Sequence, residues 1–301
     1  MSYLTPKDYK KTIQADNLQA IIGSDDTILA DAVETAVEEA QSHLVQKYDI
    51  SREFQDVNPW NINEQYQAFD RVYIDGPLFS SAATYATGAY VTYATSPTAK
   101  YLNVYRANTN IVAGAFNAAQ WDLIGIQYTI YTPKLPAPEF QYMTAYKIGD
   151  VVLWKDKTYT CRIPTGSMSQ ELALQFGSYA AVPKGNIFPD DPVNGLQYWG
   201  VGVPYAIATG VQITDATKWV ANDPRSKQVI KAVVDITLYY IHDRIAPRNI
   251  PELRVKNYDD SIKKLKGFAD GDTTNIKLPL IQPKSGDRVR FGGNVKNINS
   301  Y

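Results

Sequence analysis

Only one cysteine, Cys161, and two histidines, His43 and His242, stand among the 301 residues. One thiol cannot close an intrachain disulfide or supply a thiolate cluster for zinc. Two histidines leave little material for a Ser/His/Asp or Cys/His catalyst, and both fall in segments of helical periodicity, where they read as helical or interfacial side chains. Cys161 lies in an alternating run and reads as a small buried hydrophobe. No apolar run approaches the roughly 20 residues that span a bilayer. The first residues, Met1-Ser2-Tyr3-Leu4-Thr5-Pro6-Lys7-Asp8, lack the charged-then-apolar pattern of a secretory leader, so a soluble intracellular product is expected. Charge of one sign is also missing. Thirty Lys and Arg face 31 Asp and Glu, and no global field draws the chain onto nucleic acid or an anionic membrane.

Nucleotide and metal motifs are lacking too. Gly200-Val201-Gly202 has neither the third glycine nor the following helix that dinucleotide binding requires, and there is no Gly-Lys-Ser/Thr phosphate loop. Asp270-x-Asp272-x-x-Asn275 has no bidentate Glu at calcium-loop distance and reads as the turn that stops a helix. Asp25-Asp26 and Asp190-Asp191 read as cap or loop carboxylates, because nothing nearby would separate their pKa values into an acid and a base. No catalytic residue, cofactor or metal is therefore expected, and the chain does not read as an enzyme.

What the sequence does hold is aromatic surface, 22 Tyr and 5 Trp with 45% apolar residues overall, and an uneven charge distribution. Residues 1–54 carry five Lys and Arg against ten Asp and Glu, whereas residues 223–301 carry 15 against nine. The texture changes at the same points, from helical patterning at both ends to Gly, Pro, Thr and aromatics between them.

Thr5-Pro6-Lys7-Asp8 has a hydroxyl cap, a proline at the first helical position and an acid three residues past the cap, predicting a helix from there to about Ile22, stopped by Gly23. Asp25 and Asp26 cap a long amphipathic helix over 27–48, with Leu29, Val33, Ala36, Val37, Ala40, Leu44 and Tyr48 at spacings of three and four. Asp223-Pro224 is predicted to start a helix over about 225–245, ended by Pro247, and another follows over 253–268. Residues from Thr273 onward carry Lys277, Lys284, Arg288, Arg290 and Lys296 among Pro, Gly and Asn, and are expected to form an extended arm.

The middle of the chain reads as short strands. Tyr85-x-x-Gly88-x-x-Val91-x-Tyr93 is echoed by Tyr146-x-x-Gly149-x-x-Val152-x-Trp154. Each copy is followed by a second alternating run and then a lone tryptophan, Trp121 or Trp199. A further echo links Asn117-Ala118-x-x-Trp121 to Asp215-Ala216-x-x-Trp219. Two small β modules are expected, about 80–133 and 140–205, joined by the proline-rich Pro133-Lys134-Leu135-Pro136-Ala137-Pro138. Their rings could stack on sugars, with Tyr93, Trp154, Tyr159 and Trp199 as candidates for glycan or protein docking. Modules this small also need aromatics for a core, and that reading is preferred.

Order and spacing in the helical ends carry a resemblance. Tyr3-Leu4-Thr5-Pro6-x-Asp8, Ile21-Ile22-Gly23 and Leu44-x-x-x-Tyr48-Asp49-Ile50 come first. Val229-Ile230-x-x-Val233-Val234-x-Ile236-x-Leu238-Tyr239 and Arg254-x-x-x-Tyr258-x-x-Ser261-Ile262-x-x-Leu265-x-x-x-Ala269-x-Gly271 follow, and the set resembles the head-completion or head-to-tail adaptor family of tailed bacteriophages. Ser261 departs from it by standing where a small apolar residue is usual. The resemblance implies a virion protein of the neck or tail. It would be a connector ring subunit, commonly one of twelve, lying beneath the portal and extending the DNA channel. The large insert suggests a ring protein of a crAss-like phage. Tyr146-x-x-Gly149-Asp150-x-Val152-x-Trp154-x-x-x-x-Tyr159-x-Cys161 is similar to chitin-binding-type carbohydrate modules.

The expected fold class is therefore α+β and multidomain: a discontinuous helical bundle of residues 1–54 and 223–275, with an inserted β region over 55–222 holding two all-β modules, and an arm over 276–301. The expected partners are further copies of the chain, the portal protein, neighbouring tail or ring proteins, and DNA passing through without sequence-specific contact. The acidic face with Asp31, Glu34, Glu38 and Glu39 is expected to meet Arg254, Lys256, Lys263, Lys264 and Lys266 of a neighbouring copy, and the basic arm to reach the portal or next ring. A glycan-binding decoration protein is the alternative.

Overall fold

Helix-forming patterns at the two ends of the sequence are brought into one core. The computed structural model describes residues 2–23, 25–96, 99, 101–141, 144–165, 187–270, 276, 278 and 279. It is α+β. Its described residues divide into one compact unit within Met1–Pro136 and Tyr205–Ile281 and a second within Ala137–Pro204. The first unit thus also takes in residues 55–136 and 205–222, which the sequence reading assigned to the insertion.

Helices α1 (Pro6–Tyr9), α2 (Ala15–Ile22) and α3 (Asp26–Leu44) precede the β region. A short α4 (Gly195–Tyr198) lies within it, and α5 (Lys227–Ile245) and α6 (Glu252–Asp270) follow. The single helix predicted over 5–22 is two, because Gln14 is extended (φ −72°, ψ 145°). The break turns Tyr9, Ile13 and Leu18 all toward the core. Gly23 closes α2 at φ +61°, a left-handed cap that suits glycine. Helix α5 begins after Ser226 rather than at Asp223-Pro224, since the Asp223 carboxylate is taken by Arg225 at 2.9 Å. It is the hub of the bundle, touched by α1, α2, α3 and α6, and every residue from Val229 through Leu238 except Lys231 is buried. That explains its weak amphipathic stripe: apolar side chains face neighbours on several sides.

Ile276 and Leu278, at the start of the predicted arm, are buried in this same core, and the Asp49 N–H donates to the Pro279 carbonyl at 2.8 Å. The arm therefore begins with a docked strap. Both apolar side chains are buried together in that core. The rest of the arm, with Lys277, Lys284, Arg288, Arg290 and Lys296, lies outside the described residues.

Among the described residues, the β region has twelve short strands: β1 (Val57–Pro59), β2 (Tyr66–Gln67), β3 (Arg71–Tyr73), β4 (Tyr90–Tyr93), β5 (Asn103–Ala107), β6 (Trp121–Ile126), β7 (Ile130–Pro133), β8 (Val151–Trp154), β9 (Lys157–Thr160), β10 (Val203–Pro204), β11 (Ala206–Ile207) and β12 (Trp219–Ala221). They form sheets of order β4-β5-β6, β8-β9-β10 and β1-β3-β7-β12, with β2 paired to β11.

The expected repeat is present, and in three copies rather than two. In the first-unit module of β4, β5 and β6, Phe79 stacks on Tyr85 (5.6 Å, 22°) and Tyr85 meets Trp121 edge-on (5.3 Å, 72°). In the second-unit module, Phe140 stacks on Tyr146 (5.5 Å, 22°) and Tyr146 meets Trp199 edge-on (5.3 Å, 69°). Gly88 and Gly149 both adopt φ +90°, a region that L side chains rarely enter. Their N–H groups donate to Ala107 and Cys161 at 2.8 and 2.9 Å.

The third copy is assembled from distant pieces. The Tyr66 hydroxyl takes the Asn61 N–H at 2.7 Å, as Tyr85 takes Ser80 and Tyr146 takes Gln141, each at 2.7 Å. Tyr66 meets Trp219 edge-on at 5.2 Å and 70°. Its strands are β1, β3, β7 and β12, so the other two modules interrupt it in sequence, one between β3 and β7 and one between β7 and β11. In each copy an aromatic residue, a tyrosine and a valine recur at intervals of six: Trp60, Tyr66, Val72; Phe79, Tyr85, Val91; Phe140, Tyr146, Val152.

Candidate subunit and docking surfaces

The chain's passage between helical and β parts of the first unit is fixed by a buried polar network. Arg225, with its side chain 1% exposed, reaches Asp8 Oδ2 at 3.0 Å and also donates to the Tyr3 carbonyl and to Asp223. Glu53 Oε1 accepts from the Tyr3 hydroxyl and from the Ser226 N–H, both at 2.8 Å. Arg71, on β3, donates to the Glu53 carbonyl at 2.8 Å and to that of Arg52. Burial raises the Glu53 pKa above the ordinary carboxylate range, opposed by the Tyr3 and Ser226 donors and by the two arginines. The network ties together the N-terminus, both ends of the insertion and β3. Its role is positional, since every polar atom named here is turned toward a protein partner.

The acidic residues of α3 divide into two groups. Glu39 is half-buried and holds two tyrosines of its own chain: the Tyr240 hydroxyl donates to Oε2 at 2.9 Å and that of Tyr258 to Oε1 at 2.8 Å. Asp31 pairs with Arg244 of the same chain at 2.7 Å. Two of the four acids expected to meet a neighbouring copy thus have partners within their own chain. Glu34 and Glu38 are exposed, and no hydrogen bond or ion pair involves them among the described residues. On α6, Lys256, Lys263, Lys264 and Lys266 are exposed and Arg254 is half-exposed. Ser261 is buried and donates to Asp235 Oδ2 at 3.2 Å.

The aromatic candidates are mostly core. Trp199 is 0% exposed and donates through Nε1 to the Ile187 carbonyl at 3.0 Å. Tyr159 is buried with its ring against Gly202, where an added Cβ would fall 2.6 Å from the ring. Tyr93 is stacked on Phe116 at 4.0 Å. Trp154 is partly buried, its Nε1 bonded to Asp190 Oδ1 at 2.6 Å. Three aromatic rings per copy are what so small a sheet needs to bury apolar area. What these modules leave outside is aliphatic: Leu78, Val112 and Leu123 in one, and Ile148, Val193, Leu196, Val201 and Val203 in the other, all strongly exposed.

Cys161 is buried and bonded to the Ile163 carbonyl at 3.2 Å, with burial raising its pKa. His242 Nδ1 lies 2.7 Å from the Leu238 carbonyl, one turn back on its own helix. Among the described residues, no group of three or more His, Cys, Asp or Glu is placed to hold a metal, and no helix is long and apolar enough to cross a membrane. Sequence reasoning missed Arg225, Glu53 and Arg71. Glu53 and Arg225 stand at the borders of the helical and β textures, whereas Arg71 lies inside the β region and carries no such signal. Comparison with protein-family models and with curated proteins gave no match to this chain.

Proposed function

We propose that this protein is a structural subunit of a head-to-tail connector ring in a tailed-phage virion. The discontinuous helical bundle would form the ring wall beneath the portal, and the β modules would dock tail, fibre or capsid proteins. The observation that carries this reading is the pair Glu34 and Glu38, exposed on α3 without an intrachain partner among the described residues, set against the lysines of α6. One acidic and one basic surface on the same chain suit a heterologous contact, which closes into rings when its rotation permits. The exposed aliphatic side chains of the modules support docking of further proteins, because apolar patches of this kind mark interaction surfaces. DNA would pass through the ring without being read, and assembly would take place in the host cytoplasm.

The test is direct imaging of the purified chain and of intact particles. Rings, commonly twelvefold, are expected at low salt, and Glu34→Lys/Glu38→Lys should disperse them. A chain that stays monomeric at every concentration and is absent from the particle vertex rejects the reading.

A further inference from the structure

Helices α5 and α6 pack together and so present two grooves, one on each side of their seam. Helix α3 touches both of them and occupies one. The other is open, with a volume of about 390 Å³, lined by Lys227, Lys231 and Lys264 over a floor that includes Ala232 and Phe268. Among the described residues, no carboxylate lines it. Asp235, whose side chain is buried, is bonded to Lys231 at 2.7 Å. Three lysines with one paired carboxylate leave the apolar-floored groove net positive, and an acidic partner complements that charge.

We propose that this groove receives the exposed acidic stripe of α3 from a second copy of the chain. This rests on the ring reading and deepens it by naming the receiving surface. Glu34 and Glu38 are four residues apart, as are Lys227 and Lys231, so both pairs have the same axial spacing of about 6 Å. Donor stripe and receiving groove lie on different helices and share no residue. The contact is head-to-tail and leaves both surfaces of a terminal subunit open for the next copy.

The experiment uses two variants of the full chain, altered only at exposed positions, with circular dichroism confirming that each folds. Glu34→Lys/Glu38→Lys makes both surfaces basic, and Lys227→Glu/Lys264→Glu makes both acidic. Each alone should self-associate roughly tenfold or more weakly than wild type at low salt. An equimolar mixture should recover wild-type mass by light scattering, since each basic surface then meets an acidic one in alternation. A lysine variant that assembles like wild type, or a mixture that fails to recover, overturns the groove while wild-type rings leave the ring reading standing. Recovery that stops at dimers keeps the groove and sinks the ring. A wild-type chain that never associates overturns both.

Discussion

Asp8 and Arg225, 217 positions apart, form a buried ion pair with Oδ2 and Nη1 at 3.0 Å. The same guanidinium reaches Asp223, whose side chain is 37% exposed. One arginine thus holds the first helix against the segment that leads into α5.

Removing Arg225 leaves the buried Asp8 carboxylate without its counter-charge, held only by the Thr5 N–H and hydroxyl, and takes a donor from the Tyr3 carbonyl. Arg225→Met is therefore expected to lower stability by about 3–5 kcal/mol. Asp223→Asn, on the solvent side of the same cluster, should cost no more than about 1 kcal/mol. Urea unfolding followed by helical circular dichroism measures both, and equal losses would contradict the assigned burial.

Glu53 gives a pH dependence with a definite sign. Its folded pKa is raised above the ordinary value of 4.5, chiefly by desolvation. The folded chain therefore binds more protons than the unfolded chain from that value upward to the raised one. Stability contributed at this position falls as pH rises through the window. Glu53→Gln keeps an Oε1 able to accept from both Tyr3 and Ser226 and removes the titration. The variant should gain on wild type as pH rises from about 4.5 to neutrality. Parallel profiles of the urea midpoint would refute this.

The docked strap sets where the arm can be cut. Truncation after residue 271 removes Ile276 and Leu278 from the helical core, and loss of that burial is expected to cost about 2–4 kcal/mol. Truncation after residue 281 keeps both side chains and should leave the unfolding midpoint unchanged. Thermal unfolding of the two truncated chains distinguishes them.

Much of this was legible in the residues. The spacing of Leu29, Val33, Ala36, Ala40 and Leu44 marks α3, and Gly23 marks the end of α2, because period and cap are local properties. The paired Tyr-x-x-Gly-x-x-Val runs marked two modules for the same reason. The third was hidden. Phe69 stands where the other copies have Gly88 and Gly149, and Tyr66 finds Trp219 only in three dimensions. The candidate interface was legible as charge but not as availability, since whether Glu39 is free depends on Tyr240 and Tyr258 arriving from the other end of the chain. The open groove was equally invisible, being a property of how α3, α5 and α6 divide the space among themselves.

The interrupted module constrains the order in which the chain can mature. Each guest has its full aromatic trio within one uninterrupted stretch of sequence. The host must wait on the ribosome for Trp219, after both guests have been synthesised, and until then Tyr66 and Val72 have no lid. The guests are thus born first, and the helical layer, whose central α5 emerges later still, is the last part of the molecule to form.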